Sequence, residues 1–75
     1  MQLMDYNELR KQVMYHLEYD KPKWSRNGQF VFNYIDCVYG VARDVQYKDK
    51  VDCFYDDTKI DEFIKLSAER INWIE

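Results

Sequence analysis

Hydrophobic positions recur at helical spacing through most of this chain. The clearest pattern lies near the C-terminus, where an apolar stripe repeats every three or four residues and predicts a helix over about 58–74. Its members are Ile60, Phe63, Ile64, Ser67, Ala68, Ile71 and Ile74. A second stripe predicts a helix over about 5–20, which ends before Pro22 because the residue preceding a proline disfavours helical geometry. That stripe is formed by Tyr6, Leu9, Val13, His16 and Leu17.

The middle of the chain holds an almost continuous apolar block between two glycines. Gly28 opens the block, and Gly40 follows it where a left-handed residue commonly ends a helix. We predict a central helix over about 28–39, covered on several sides by the other helices. A buried strand over Gln29–Ile35 is the alternative, because β-branched and aromatic residues bounded by glycine suit either structure.

The remaining segments complete the predicted fold. Residues 41–47 predict a short third helix, and a loop over Lys48–Asp57 follows it, pinned to the core by Val51 and Phe54. The expected helix caps are Asp5, Ser25 or Asn27, and Thr58. The sequence therefore predicts an all-α fold, a compact bundle of three to four short helices in a single domain over residues 1–75.

Composition restricts the classes of function. The chain has 75 residues, an aromatic fraction of 17% and a formal net charge of −3, with its excess of acids after residue 37. A mildly acidic protein repels phosphate backbones at long range, which disfavours nucleic-acid binding. Two cysteines, no recognisable signal peptide and no apolar run of membrane-spanning length predict a cytoplasmic protein with reduced thiols.

The residues that carry catalytic or metal chemistry are few and badly spaced. His16 is the only histidine, and sixteen positions separate Cys37 from Cys53, which is not a metal-site spacing. We expect Cys37 to be a small core residue. An acidic cluster fails the pattern of a calcium loop and is interpreted as helix capping and a solvated loop. The cluster comprises Asp49, Asp52, Asp56, Asp57, Asp61 and Glu62. The prediction is a protein without enzymatic activity, metal or cofactor.

Some large apolar side chains lie off the predicted core faces and are candidates for protein binding. Leu66 and Trp73 point away from the C-terminal stripe, and Tyr15 and Tyr19 lie one turn apart on the outer face of the first helix. Exposed aromatic residues beside aliphatic ones are typical of protein-binding surfaces. The alternative is that neighbouring helices cover all four.

A polar stripe on the central helix has a structural interpretation and a binding one. Gln29, Asn33 and Asp36 form the stripe. Buried amides usually hold a neighbouring loop by hydrogen bonds, so we expect Asn33 to hold the backbone of residues 52–56.

A short basic segment is the candidate for nucleic-acid binding. Trp24 is flanked by three basic residues, Lys21, Lys23 and Arg26. Basic residues interleaved with an aromatic residue can bind single-stranded nucleic acid. The competing interpretation places Trp24 as a core plug at the corner between the first two helices.

The chain also resembles a group of uncharacterised small helical proteins of bacteria and their phages. The resemblance lies in the run 24–33, in Val41-Ala-Arg43 and in Asp52-Cys-Phe-Tyr-Asp-Asp57 with residues 60–64. The shared pattern is R-x-G-Q-x-x-F-N, a short helix, D-P-F-Y-x-D and a terminal helix. This chain has Cys53 where the group usually has proline, and an extra Asn27. The group has no assigned activity, so the resemblance implies a compact helical fold and a bacterial or phage setting.

Three functional hypotheses follow. The first is a non-enzymatic interaction protein of bacterial or phage origin that binds a host or partner protein, with inhibition of a host defence protein within this class. The second is a nucleic-acid-associated accessory protein that uses the Lys21–Arg26 segment. The third, compatible with the first, is a homodimer formed through the outer face of the C-terminal helix.

Overall fold

The apolar stripes form α-helices in the computed structural model, which describes the backbone of residues 4–73 and the side chains of residues 4–72. The helices are α1 (Tyr6–Asp20), α2 (Asn27–Tyr39), α3 (Ala42–Lys48) and α4 (Ile60–Trp73), with a 3₁₀ turn over Asp57–Lys59 before α4. The described part contains no strand, so the all-α prediction is confirmed and the strand alternative for Gln29–Ile35 is wrong.

Helices α2 and α4 contact each other and form the centre of the bundle. α1 packs against both of them on one side and α3 packs against both on the other. Within the described residues, no Cα atom of α1 lies within 8 Å of a Cα atom of α3. α1 and α3 therefore pack on separate parts of the α2–α4 pair.

The core is built from the predicted stripes. Leu9 and Val13 of α1 meet Val31 and Ile35 of α2, all fully buried. The stripe of α4 is buried over the positions that the structure describes, except Ile60, which is half-buried against the core; Ile74 lies outside the described residues. The buried positions of that stripe are Phe63, Ile64, Ser67, Ala68 and Ile71. Burial of these side chains is the main stabilising term for so short a chain.

Polar side chains join segments that are distant in the sequence. The amide of Asn72 accepts a hydrogen bond from the Met4 backbone N–H at 2.7 Å and donates one to the Met4 carbonyl at 2.9 Å. Arg70 donates two hydrogen bonds to the carboxylate of Asp49, at 2.9 and 3.1 Å. These contacts hold the start of α1 and the end of α3 against α4.

The helix ends agree with the sequence at one glycine and differ at the caps. Gly40 ends α2 with φ +74°, as predicted. Asp5 precedes α1 but makes no side-chain capping hydrogen bond. The cap before the 3₁₀ turn is Asp56, not Thr58: the Asp56 carboxylate accepts from the Thr58 N–H at 3.0 Å and from its hydroxyl at 2.6 Å. These bonds lower the pKa of Asp56, because they favour the charged carboxylate.

Candidate functional site

A connected set of aromatic rings crosses the surface where α1 meets α2. We call Tyr15, His16, Tyr19, Phe30 and Tyr34 the ring surface. The centroid of the Tyr15 ring lies 5.0 Å from that of Tyr19 and 5.2 Å from that of His16. His16 stacks on Tyr34 at 4.9 Å, and Tyr34 lies 6.3 Å from Phe30. The two tyrosines of α1 are 59% and 68% exposed.

Helical spacing and a small polar network hold these rings in place. Tyr15 and Tyr19 are one turn apart on α1, as Phe30 and Tyr34 are on α2. The amide of Gln12 donates to the Tyr34 hydroxyl at 2.6 Å and accepts from the Tyr39 hydroxyl at 2.9 Å. These bonds join α1 to α2 and restrict the Tyr34 ring, which contacts both His16 and Phe30. The ring surface is therefore ordered before binding.

Charged side chains border the rings along α1. Glu8, Lys11 and Glu18 are exposed on the helix that carries the two tyrosines. Glu8 and Lys11 line a shallow depression of about 300 Å³ together with Gln12, Tyr15 and His16. The imidazole of His16 pairs through Nδ1 with the carboxylate of Asp20, one turn further along α1. The ring surface thus combines exposed aromatic area with charges of both signs.

A second concave surface lies on the α3 side, and we call it the α3 groove. It has a volume of about 380 Å³ and is lined by Phe32, Arg43, Gln46, Tyr47, Phe54 and Tyr55. Tyr47 and Tyr55 are 74% and 71% exposed. Neither tyrosine was predicted as a binding residue. The polar neighbours Gln46 and Lys48 are a sequence signal for an exposed Tyr47, whereas Tyr55 directly follows Phe54 and carries no such signal.

Of the protein-binding candidates on the C-terminal helix, the structure describes the side chain of Leu66 alone. Leu66 is half-buried and packs against the core, which favours the alternative that neighbouring helices cover it. The side chain of Trp73 lies outside the described residues. Tyr15 and Tyr19, in contrast, are exposed and contact each other.

The polar stripe of α2 does not hold the 52–56 loop. Asn33 is exposed, while Gln29 and Asp36 are half-buried. The loop is held at the start of α2 instead, where the Arg26 guanidinium donates to the Phe54 carbonyl at 2.6 Å. The role expected for Asn33 is therefore wrong, because its position on α2 faces solvent rather than the loop.

Two of the three cations near Trp24 bond to backbone carbonyls of the chain. Lys21 donates to the carbonyls of Pro22 and Ser25, at 3.2 and 2.7 Å, and Arg26 holds the loop. Lys23 is exposed. The interpretation of Trp24 as a core plug is wrong: its side chain is 80% exposed, because Ser25 occupies the buried position at this corner.

The start of α2 and the loop before α4 form a tight junction, which we define as Gly28, Cys53 and Asp57. The Gly28 N–H donates to the Asp57 carboxylate at 2.9 Å, and the Cys53 thiol donates to the Gly28 carbonyl at 3.3 Å. A Cβ atom on Gly28 would lie 1.9 Å from the Cys53 carbonyl oxygen. α2 makes no side-chain hydrogen bond from its own N-cap, Arg26, so Asp57 satisfies a backbone donor at this helix end.

The two cysteines have opposite environments. Cys53 is fully buried, and burial, reinforced by the charge of Asp52, raises the pKa of its thiol to about 12. Cys37 is exposed, which corrects the expectation of a core residue. Both thiols are free, and the described residues contain no group of three or more potential metal-ligating side chains.

The acidic cluster divides into separate structural contacts. Asp56 caps the 3₁₀ turn and Asp57 bonds to Gly28, as described above. Asp49 accepts the two bonds from Arg70, and Asp61 accepts one from Arg10 at 3.2 Å. The capping interpretation therefore accounts for Asp56 and Asp57. Of the other four acids, Asp52 accepts from the Phe54 N–H at 2.9 Å, and the remaining three form ion pairs: Asp49, Asp61 and Glu62.

Comparison of the chain with known protein families, with curated proteins and with solved structures gave no match. Within the described residues, no helix has the length and hydropathy needed to cross a membrane.

Proposed function

We propose that this protein is a non-enzymatic protein-binding protein and that the ring surface is its contact surface. The observation that carries the proposal is the unbroken set of five rings across two helices, with the two α1 tyrosines more than half exposed. Tyrosine supplies large contact area at a small cost in side-chain entropy and is enriched at interface hot spots.

The rigidity of the surface supports a role in recognition. Because Gln12 links the hydroxyls of Tyr34 and Tyr39, the stack on α2 is already ordered before a partner arrives. Ordering interface side chains costs free energy, so a surface ordered in advance binds more tightly than a loose one of the same area.

The arrangement of the reactive groups supports a non-enzymatic role. His16 pairs with Asp20, and no hydrogen bond joins it to either cysteine within the described residues. Cys53 is buried, and its raised pKa keeps the thiol protonated at neutral pH. A nucleophile with an adjacent base, which covalent catalysis requires, is not assembled there.

The resemblance to small proteins of bacteria and phages supports a bacterial or phage setting for this interaction. In that setting a host protein is one class of partner for the surface, and inhibition of a host defence protein is one form of that interaction. Affinity capture from a bacterial host, followed by mass spectrometry, identifies the candidates. Binding is then measured with the purified partner.

The decisive variant is Tyr15→Ala combined with Tyr19→Ala. We expect loss of partner binding by about tenfold or more with an unchanged helical circular dichroism spectrum, because both rings are exposed. The matched control is Tyr47→Ala combined with Tyr55→Ala in the α3 groove, which should leave binding unchanged. If the Tyr47→Ala and Tyr55→Ala variant alone loses binding, the α3 groove and not the ring surface is the contact surface.

One observation favours nucleic-acid binding as a second candidate function. Trp24 is 80% exposed next to the exposed Lys23, which leaves an aromatic face free for base stacking. Quenching of Trp24 fluorescence by labelled single strands, weakening as salt increases, would support this function. The absence of binding at low salt eliminates it. Trp73→Phe simplifies the measurement by removing the second tryptophan.

A further inference from the structure

We propose that a second copy of this chain occupies the ring surface, with the two α1 helices packed antiparallel about a two-fold axis at Tyr15. This inference rests on the proposed function, since it names the partner of the same surface. The charge pattern on the outer face of α1 supports this arrangement.

The outer face of α1 carries charges in an ordered sequence. Glu8, Lys11, Tyr15, Glu18 and Tyr19 are all exposed. At 3.6 residues per turn they fall within roughly 100° of the helix circumference, centred near Tyr15. The face therefore reads acid, base, ring, acid, ring from the start of the helix to its end, and the exposed Lys23 follows beyond it.

An antiparallel two-fold axis at Tyr15 turns this order into complementary pairs. Residues at similar distances before and after Tyr15 then face each other across the axis. Lys11 lies four positions before Tyr15 and Glu18 three positions after it, on the same edge of the face, so Lys11 meets Glu18 of the second copy.

The outer ends of the face are complementary too. Glu8 lies seven positions before Tyr15, and Lys23 lies eight positions after it, just beyond the end of α1. The same axis brings Glu8 towards Lys23 of the second copy. Because the axis repeats each pair, the dimer gains two contacts of each kind, four opposite-sign contacts in all.

A parallel arrangement has the reverse effect. It would place Glu8 against Glu8, Lys11 against Lys11 and Glu18 against Glu18, and like charges that face each other oppose association. The charge order thus selects the antiparallel dimer. An isologous contact of this kind closes on itself and does not propagate into filaments.

The rings supply the apolar centre of this interface. Tyr15 lies on the axis, so it meets Tyr15 of the second copy, and Tyr19 extends the aromatic area next to it. Phe30 and Tyr34 are half-buried on α2 beside α1, and they widen the surface on one edge. Aromatic residues at the centre and charges at the rim are the usual arrangement of a protein interface.

The test is a charge reversal with restoration, read by sedimentation velocity and light scattering of the purified full chain from micromolar to millimolar concentration. We expect the unmodified chain to form dimers. Lys11→Glu and Glu18→Lys should each weaken the dimer by about tenfold, because each places two like-charged pairs in the interface. The double variant Lys11→Glu with Glu18→Lys should return the dimer to its original strength.

The exposed positions of both charges make misfolding a minor concern, and thermal unfolding of each variant checks it. A chain that stays monomeric at millimolar concentration overturns the inference. So does a dimer that both single reversals leave intact, which would point to another face such as that of α4. A double variant that remains as weak as the single variants also overturns it.

Failure of the dimer is distinguishable from failure of the proposed function. If the chain is monomeric and the Tyr15→Ala and Tyr19→Ala variant no longer binds the captured partner, the dimer is ruled out. The proposed function then holds, with a different protein as the partner of the ring surface. If neither self-association nor partner binding depends on these tyrosines, the ring surface is not the contact surface.

Discussion

The junction at the start of α2 and the outer face of α1 use their side chains in opposite ways. At the junction, Gly28, Cys53 and Asp57 satisfy one another within the chain. On α1, Tyr15 and Tyr19 contact each other and are otherwise more than half exposed. Groups at the junction are therefore used by the fold, whereas the rings of α1 remain available to a partner.

The difference separates positions that determine stability from positions that determine binding. A substitution at the junction disturbs a backbone hydrogen bond or a close contact, and both are costly when buried. A substitution on the outer face of α1 removes area that the fold does not bury. The two regions should respond oppositely when stability and association are measured on the same variants.

The largest expected effect is the difference in reactivity between the two thiols. Cys37 is exposed, while Cys53 is fully buried at the junction. In the absence of denaturant, we expect an alkylating reagent at pH 8 to modify Cys53 about a thousandfold more slowly than Cys37. The reagent can reach Cys53 only when the loop opens. Mass spectrometry after timed alkylation measures both rates, and denaturant should make them similar. Equal rates without denaturant would show that the junction is open.

The same thiol gives a pH dependence with a defined sign. Burial raises the pKa of Cys53 to about 12 in the folded chain, so the folded state keeps a proton that the unfolded chain releases near the ordinary thiol pKa. This contribution to stability is complete below the unfolded pKa and is lost as the pH rises towards 12. Urea unfolding of Cys53→Ala beside the unmodified chain isolates the loss.

Gly28→Ala has the next largest effect. Alanine normally stabilises a helix relative to glycine by about 1 kcal/mol. Here the added Cβ would meet the Cys53 carbonyl oxygen at 1.9 Å, so we expect a loss of about 3 kcal/mol in the free energy of unfolding. Urea unfolding measures the loss, and Asn27→Ala, at the exposed neighbour, is the control within about 0.5 kcal/mol. A stabilised Gly28→Ala variant would contradict the close approach.

Asp57→Ala should cost about 1.5 kcal/mol, because it removes the acceptor for the Gly28 N–H at the start of α2. Asp57→Asn is the matched variant: it keeps an acceptor and loses only the charge that favours a helix N-terminus. We expect Asp57→Asn to lower the free energy of unfolding by less than half as much as Asp57→Ala does. If both variants unfold alike, the charge rather than the hydrogen bond stabilises this helix end.

The sequence predicted the elements whose signal is local. The stripe of α4 repeats at helical spacing over several turns, and Gly40 stands where a left-handed residue is needed, so both were predicted. The outer positions of Tyr15 and Tyr19 followed from the same periodicity of α1. Periodicity defines which face of a helix is apolar, and this information lies within one segment.

Contacts between segments were not predictable from that local signal. Asp57 satisfies a donor at the start of α2 although it lies 29 positions away, and the spacing around Arg26 gives no sign of it. Trp24 and Cys37 were expected in the core and are both exposed, and Ser25 is the buried residue next to Trp24. The ring surface was found only in part, since His16, Phe30 and Tyr34 join it through the packing of α1 on α2.

Tyr15→Ala should have the smallest effect on stability. The ring is 59% exposed and makes its ring contacts with two neighbours on the same helix, so we expect the free energy of unfolding to change by no more than about 0.5 kcal/mol. Leu9→Ala on the same helix is the contrasting variant, because Leu9 is fully buried and its truncation should cost about 3 kcal/mol. Thermal and urea unfolding compare the free energies of unfolding of the two variants, and self-association is measured on the same samples. A Tyr15→Ala loss near that of Leu9→Ala would make the ring part of the core, and the distinction between the two regions would then fail. A small loss of stability combined with a large loss of association is the result that the exposed rings require.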